Sequence, residues 1–142
     1  MPSRAAPQGR FERSSRVRKR REYQAIQSGG ARASLAHFVL IFAARPPVVG
    51  AVPRLGVTAS RKIGGAVQRN RAKRLVKEAF RSTRRLFPSD IDVVVIVRRE
   101  LGALGLDDVV REWEAASALI GRRIEAARRA FRAAPEPDAS LA

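Results

Sequence analysis

The chain has 142 residues, 45% of them hydrophobic, with no cysteine and a formal net charge of +16. That size suits one domain with a modest core, and the missing cysteine excludes disulfides, thiolate metal sites and a cysteine nucleophile. No apolar run approaches the ~20 residues of a membrane span, and the N-terminus lacks the apolar segment of a secretory signal, so the expected location is the cytoplasm, without a membrane partner.

The charge is unevenly spread. Residues 1–89 hold 21 Lys and Arg against Glu12, Glu22 and Glu78, whereas residues 90–142 hold 8 basic and 10 acidic residues. A cationic surface followed by a balanced C-terminal part predicts a polyanionic partner, bound with an affinity that falls as salt rises.

In chain order, residues 1–15 contain Pro2, Pro7, Gly9 and scattered arginines and are expected to be a flexible basic arm. Residues 16–27, RVRKRREYQAIQ, read as a short helix with Val17, Tyr23 and Ile26 inward and Arg18, Lys19, Arg20 and Arg21 outward, ended by Gly29 and Gly30. Tyr23 has two readings, as a packed aromatic or as a platform on which a base could stack beside those cations. The run HFVLIF at 37–42 is apolar on both faces, so this strand is covered on both or lines a groove. Pro46, Pro47, Gly50 and Pro53 make 45–53 a loop. RLGVTAS at 54–60 alternates, with Leu55, Val57 and Ala59 on one side.

Residues 61–66, RKIGGA, link that strand to a helix. Two glycines beside Arg61 and Lys62 leave backbone N–H groups free at a helix N-terminus, a suitable turn for phosphate. The nucleotide-binding glycine patterns are absent. The stretch 69–85, RNRAKRLVKEAFRSTRR, carries eight cations and one acid, Glu78. Wound at about 100° per residue, it separates an apolar arc, taken as Val67, Ala72, Leu75, Val76, Ala79 and Phe80, from a basic one. Like charges at i, i+4 repel, and solvation alone would be served by alternating signs, so the basic arc is read as a polyanion contact.

IDVVVIV at 91–97 is a buried central strand. Asp107 or Asp108 is expected to cap a last helix running to about Phe131, with Val109, Trp113, Ala116, Ile120 and Ile124 as its buried stripe. Residues 133–142 are expected to be a polar, disordered tail. The whole is an α+β fold in the order αβββαβα, with one domain over 16–132. Catalytic groups are scarce: His37 is the only histidine, it sits in an apolar strand, and the carboxylates are dispersed rather than gathered as a two-metal nuclease needs.

At SRKIGGAVQRNRAKRLVKEAFR, 60–81, the chain resembles the protein subunit of bacterial ribonuclease P. Arg54, Gly56, Ser60, Lys62, Gly64, Ala66, Val67, Arg69, Asn70, Arg71, Lys73, Arg74, Glu78, Phe80 and Arg81 match the family signature in identity, and Arg61 and Lys77 match it in charge. The likeness extends to about 16–120, through HFVL and DIDVVVIVRR. It implies a four-stranded mixed sheet packed with three helices, a left-handed βαβ crossover and a likeness to a ribosomal-protein domain. It also implies two RNA surfaces. Arg69, Asn70, Arg71, Lys73, Arg74, Lys77 and Arg81 would face the catalytic RNA. Tyr23, Phe38, Arg61 and Lys62 would hold the 5′ leader of precursor tRNA. The implied activity is removal of that leader by an RNA catalyst, with Mg²⁺ bound mainly by the RNA and one protein per RNA. Departures from the signature are Gln27 and Ile41 at positions often aromatic, Ala59 for valine, Gly65 for asparagine and Arg61 for lysine. An RNA-binding module without enzyme context, such as a ribosomal protein, is the alternative. A helix-turn-helix DNA binder lacks its first short helix here, and a protein-only nuclease lacks its acid cluster.

Overall fold

The computed structural model describes residues 20–133; the expected arm at 1–15, the expected helix start with Val17, Arg18 and Lys19, and the expected tail from 134 lie outside them. The elements are α1 (Arg20–Gly29), β1 (Ala31–Ser34), β2 (Phe38–Ala44), β3 (Arg54–Thr58), α2 (Ala66–Ser82), β4 (Ile91–Val97), α3 (Leu106–Ala115) and α4 (Ser117–Ala133). The four strands form one sheet in the order β1-β2-β4-β3. β1 and β2 pair antiparallel, as do β2 and β4, while β3 and β4 are parallel. A parallel pair needs a crossover too long for a turn, and α2 provides it.

The registers assign each strand residue to a face. One face gathers Ala33, Leu40, Val95 and Val57 in one cross-strand row and Ala31, Phe42, Val93 and Leu55 in the next. On this face lie α2, through Ala72, Val76, Ala79 and Phe80, α3, through Val109 and Trp113, and α4, through Ile120, Ile124 and Ala127. Trp113 is fully buried and stands edge-on to Phe38 and to Phe87, with ring centroids 5.9 Å away in both cases. Phe87 in turn packs on Phe80 at 4.9 Å. Among the described residues the opposite face carries only α1, whose Ile26 seals Ile41 and Val94 with help from Tyr23.

Where the sequence suggests a single C-terminal helix, there are two. The chain breaks at Ala116, whose N–H bonds to Trp113 three residues back. Nothing in the local composition marks the break, because alanine and serine are tolerated on either side of it. The apolar stripe nevertheless continues across it, with Ala116 partly buried and Ile120 fully so. The cap also differs in detail: Gly105 is the N-cap, and Asp108 reaches back to accept from the Gly105 N–H at 2.9 Å. That bond holds the Asp108 carboxyl below its ordinary pKa. Val67 does not join the apolar arc of α2 and is 78% exposed. Five residues separate it from Ala72, a rotation of about 140° that carries it to the outer side. His37 precedes β2 rather than lying within it, and Glu112 of α3 accepts both from its backbone N–H at 2.9 Å and at Nδ1 at 2.7 Å. It is a hydrogen-bonded clamp between the β1–β2 turn and α3.

Candidate nucleic-acid interface

On the α1 side of the sheet three cross-strand rows succeed one another. Ala43, Asp92 and Arg54 form the first, Arg32, Ile41, Val94 and Gly56 the second, and Ser34, Val39, Ile96 and Thr58 the third. Among the described residues, α1 covers only part of this surface. Ile41 and Val94 are fully buried beneath it, while Val39, Ile96 and Thr58 stay half-exposed and Ser34 exposed. The third row is therefore an open strip bordered by α1.

Tyr23 forms the wall of that strip. Its ring lies against Gly56, where an added Cβ would sit 2.7 Å from the ring, so only glycine permits the approach. Its hydroxyl accepts from the N–H of Val57 on the edge strand β3 at 3.2 Å. The neighbouring Glu22 lies 3.4 Å from Arg54, and Arg54 makes a bidentate pair with Asp92 at 2.8 Å in both contacts. These contacts push the Arg54 guanidinium pKa above its ordinary value, the Asp92 hydrogen bond contributing most. Arg45 Nε approaches the same carboxylate at 2.8 Å. Asp92 is thus tied to two arginines inside the fold and helps to seat α1 at a fixed angle on the sheet.

Just beyond β3, Ser60 accepts from the Lys62 N–H at 3.3 Å and starts a single 3₁₀ turn, Arg61–Ile63. Ile63 is buried, and Arg61 and Lys62 are exposed. Gly64 follows at φ +139°, a conformation that a side chain would resist. Gly65 then caps α2 without a side-chain hydrogen bond, leaving first-turn N–H groups open to solvent or to an anion. Thr58, Arg61, Lys62 and the start of α2 follow one another at the end of the open strip, and Arg99, also exposed, follows β4 at the same end.

The basic helix does not present its cations equally. Asn70 and Arg74 are exposed, and Lys73, Lys77 and Arg81 are half-exposed. Arg69 instead donates to the Gly64 carbonyl at 3.1 Å, closing the turn before its own helix. Arg71 donates to Gly102 O at 3.2 Å and also to Leu104 O, fastening the loop before α3. Two of the seven expected RNA-facing side chains thus already serve the fold.

Of the four residues expected at the leader, Tyr23, Arg61 and Lys62 lie around the open strip. Phe38 does not. It is fully buried on the other face against Trp113, because position 38 pairs with Val97 in the row that points toward α3. The side chain of β2 that reaches the strip is Val39. Only the cross-strand register places Val39, Ile96 and Thr58 together: the continuous apolar runs that contain Val39 and Ile96 carry no facial signal, and the alternation of 54–60 gives the face of Thr58 but not its neighbours.

Three comparisons bear on this arrangement. The family model described as Ribonuclease P matches residues 11–120. The ribonuclease P protein component of Syntrophus aciditrophicus is 39% identical over 102 residues, covering 72% of this chain and 83% of that one. Among solved structures, the ribonuclease P protein of Thermotoga maritima superposes with a TM-score of 0.63 at 31% identity, covering 75% of this chain and 96% of that one. The Staphylococcus aureus protein shares the fold, with a TM-score of 0.64 at 24% identity. With the matched region spanning the sheet, α1, α2 and α3, this chain belongs to the ribonuclease P protein component family.

Proposed function

We propose that this chain acts as the non-catalytic protein subunit of ribonuclease P, binding the catalytic RNA along α2 and the single-stranded leader of precursor tRNA along the open strip. The observation that carries this reading is the two-sided sheet. Its buried face bears α2, whose cations point outward, and its other face holds the half-covered strip beside Tyr23. One polypeptide can then touch two RNA segments without their competing for one surface.

Each contact has a simple chemistry. Lys73, Arg74, Lys77 and Arg81 would neutralise backbone phosphates of the catalytic RNA and release counterions, and Asn70 would add an uncharged hydrogen bond. At the strip, the Tyr23 ring offers one stacking surface, and Arg61 and Lys62 offer phosphate pairing, so the leader would be held without reading its sequence. The aliphatic Val39 and Ile96 supply a floor but no aromatic face. With Gln27 and Ile41 at the positions the family often fills with aromatics, charge would contribute more of the leader affinity here than stacking.

Bond breaking would belong to the RNA, with Mg²⁺ held mainly there. The described residues contain no group of three or more His, Asp or Glu placed to hold a metal ion, and Asp90 and Asp92 are engaged by arginines. No described helix is long and apolar enough to cross a membrane. The protein would bind one per RNA, since two distinct faces are already used by a single copy.

The test is cleavage of precursor tRNA at low Mg²⁺ with the RNA subunit alone, the protein alone and both together. The expected result is activity only in the combination. Cleavage by the protein after removal of contaminating RNA would overturn the assignment of roles, and binding without any gain in cleavage would favour a ribosomal-protein-like module. Tyr23→Ala is expected to weaken binding of precursor more than of mature tRNA, whereas equal losses would remove Tyr23 from the leader site.

A further inference from the structure

The sheet face that bears α2 also bears α4, and α4 has a charge pattern of its own. It holds Arg122, Arg123, Arg128, Arg129 and Arg132 against Glu125 alone, whereas α3 holds Asp107, Asp108, Glu112 and Glu114 against Arg111. The near balance of the C-terminal part is two opposite patches rather than a neutral surface. Within α4, three arginines are employed inside the protein. Arg128 grips Asp90 at 2.9 and 3.0 Å, Arg132 reaches Glu125 at 3.2 Å, and Arg123 donates to the Arg32 carbonyl at 2.8 Å. Arg122 and Arg129 are exposed, and neither side chain makes a hydrogen bond or ion pair with any described residue. Seven residues apart, they fall on one line along the helix, separated by about 10 Å at ~1.5 Å per residue. The acid of α4, Glu125, is already shared by Arg128 and Arg132.

Resting on the ribonuclease P reading above, we propose that the outer face of α4, centred on Arg122 and Arg129, is a second docking surface for the phosphodiester backbone of the catalytic RNA. Three features select that partner. Both α2 and α4 bury their apolar sides in the same core, so their outer sides look away from the open strip. A molecule already lying on α2 can reach α4, and a leader held on the opposite face cannot. The basic residues of α4 are all arginine, whose planar fork matches phosphate oxygens in pairs where lysine offers a point charge. The acidic α3 would repel the same polyanion, so the RNA would meet the protein at two separated basic contacts rather than along one continuous one.

The test compares the full chain with its Arg122→Gln/Arg129→Gln variant in equilibrium binding to the RNA subunit across a salt series. Loss of two phosphate contacts is expected to flatten the slope of log K against log salt by about 1.4–1.8. The thermal midpoint should stay unchanged, since neither side chain has a partner among the described residues, and so should the preference for precursor over mature tRNA. Arg122→Lys/Arg129→Lys should restore the slope. An unchanged slope in the glutamine variant, with the parent protein binding normally, would overturn the α4 surface while leaving the ribonuclease P reading intact. Failure of the parent protein to bind the RNA subunit would overturn the reading itself. Loss of binding to vesicles of anionic lipid, with the RNA slope unchanged, would assign the stripe to a membrane surface and equally overturn the proposal.

Discussion

In β2 and β4 both faces of the sheet are mainly apolar, yet one face is sealed and the other half open. On the sealed face α2, α3 and α4 close over Phe38, Phe42, Val93 and Val95, with Trp113 wedged among phenylalanines. On the other, the described part of α1, Arg20–Gly29, leaves Val39, Ile96 and Thr58 partly wet. The difference teaches that the open strip follows from the placement of α1 together with the polar Ser34 and Thr58 at the ends of its row. It also explains why the residue next door in sequence can belong to the opposite compartment.

The sharpest way to break this comparison is at Phe38. If it belongs to the sealed face, Phe38→Ala removes a buried ring and should cost about 3–5 kcal/mol of stability, read from urea unfolding. A residue of the open strip would instead leave stability within about 0.5 kcal/mol and lower leader affinity. The same pair of positions shows what the sequence could reveal. The apolar density of HFVLIF and IDVVVIV is enough to call for central strands, and β2 and β4 do lie at the centre of the sheet, with one face sealed and the other half open. Which of Phe38 and Val39 meets solvent depends on the pairing of Phe38 with Val97 and of Val39 with Ile96. A one-residue slip would exchange them, and no local pattern records that choice. By contrast, the buried side of α2 was legible from Ala72 to Phe80, because a helix with only one apolar stripe has only one way to bury it.

A second test concerns what fixes α1 over the half-covered face. Asp92 is buried and joins Arg45 and Arg54, and Arg54 reaches Glu22 at the base of α1. Asp92→Asn keeps the shape but leaves two guanidinium groups without their central anion. The expected loss is about 1–3 kcal/mol, toward the lower end because both arginines keep some contact with water. If α1 is seated by this network, leader binding should fall with stability, while the salt slope for the RNA subunit should not change. Loss of that slope instead would mean that the two faces are not independent.

The third test separates residues that look identical in the motif. Arg71 fastens the loop at Gly102 and Leu104, whereas Arg74 is exposed on the outer side of α2. Arg71→Gln should therefore cost about 1 kcal/mol of stability. Arg74→Gln should leave the thermal midpoint alone and flatten the salt slope for the RNA subunit by about 0.7–0.9. Equal stability for both variants would return Arg71 to the role of a plain phosphate contact. The charge run in the sequence could not distinguish them, since the carbonyls that occupy Arg71 lie about thirty residues downstream and come near only through the packing of α3 against α2.

The smallest expected effect is at the start of α2, where Gly65 is the N-cap. Its backbone is extended, φ −75° and ψ −175°, as an N-cap requires, but it has no side chain to accept from the first turn. An added Cβ would meet only the tip of Gln68, Oε1 at 3.2 Å, and an exposed side-chain end can swing aside. Gly65→Asn is then expected to stabilise the protein by a few tenths of a kcal/mol. The same substitution draws a first-turn N–H into an internal bond, so an anion bound there should lose a donor. Greater stability accompanied by weaker RNA binding would place phosphate at this turn; greater stability with binding unchanged would confine the RNA contact to the outer side chains of α2.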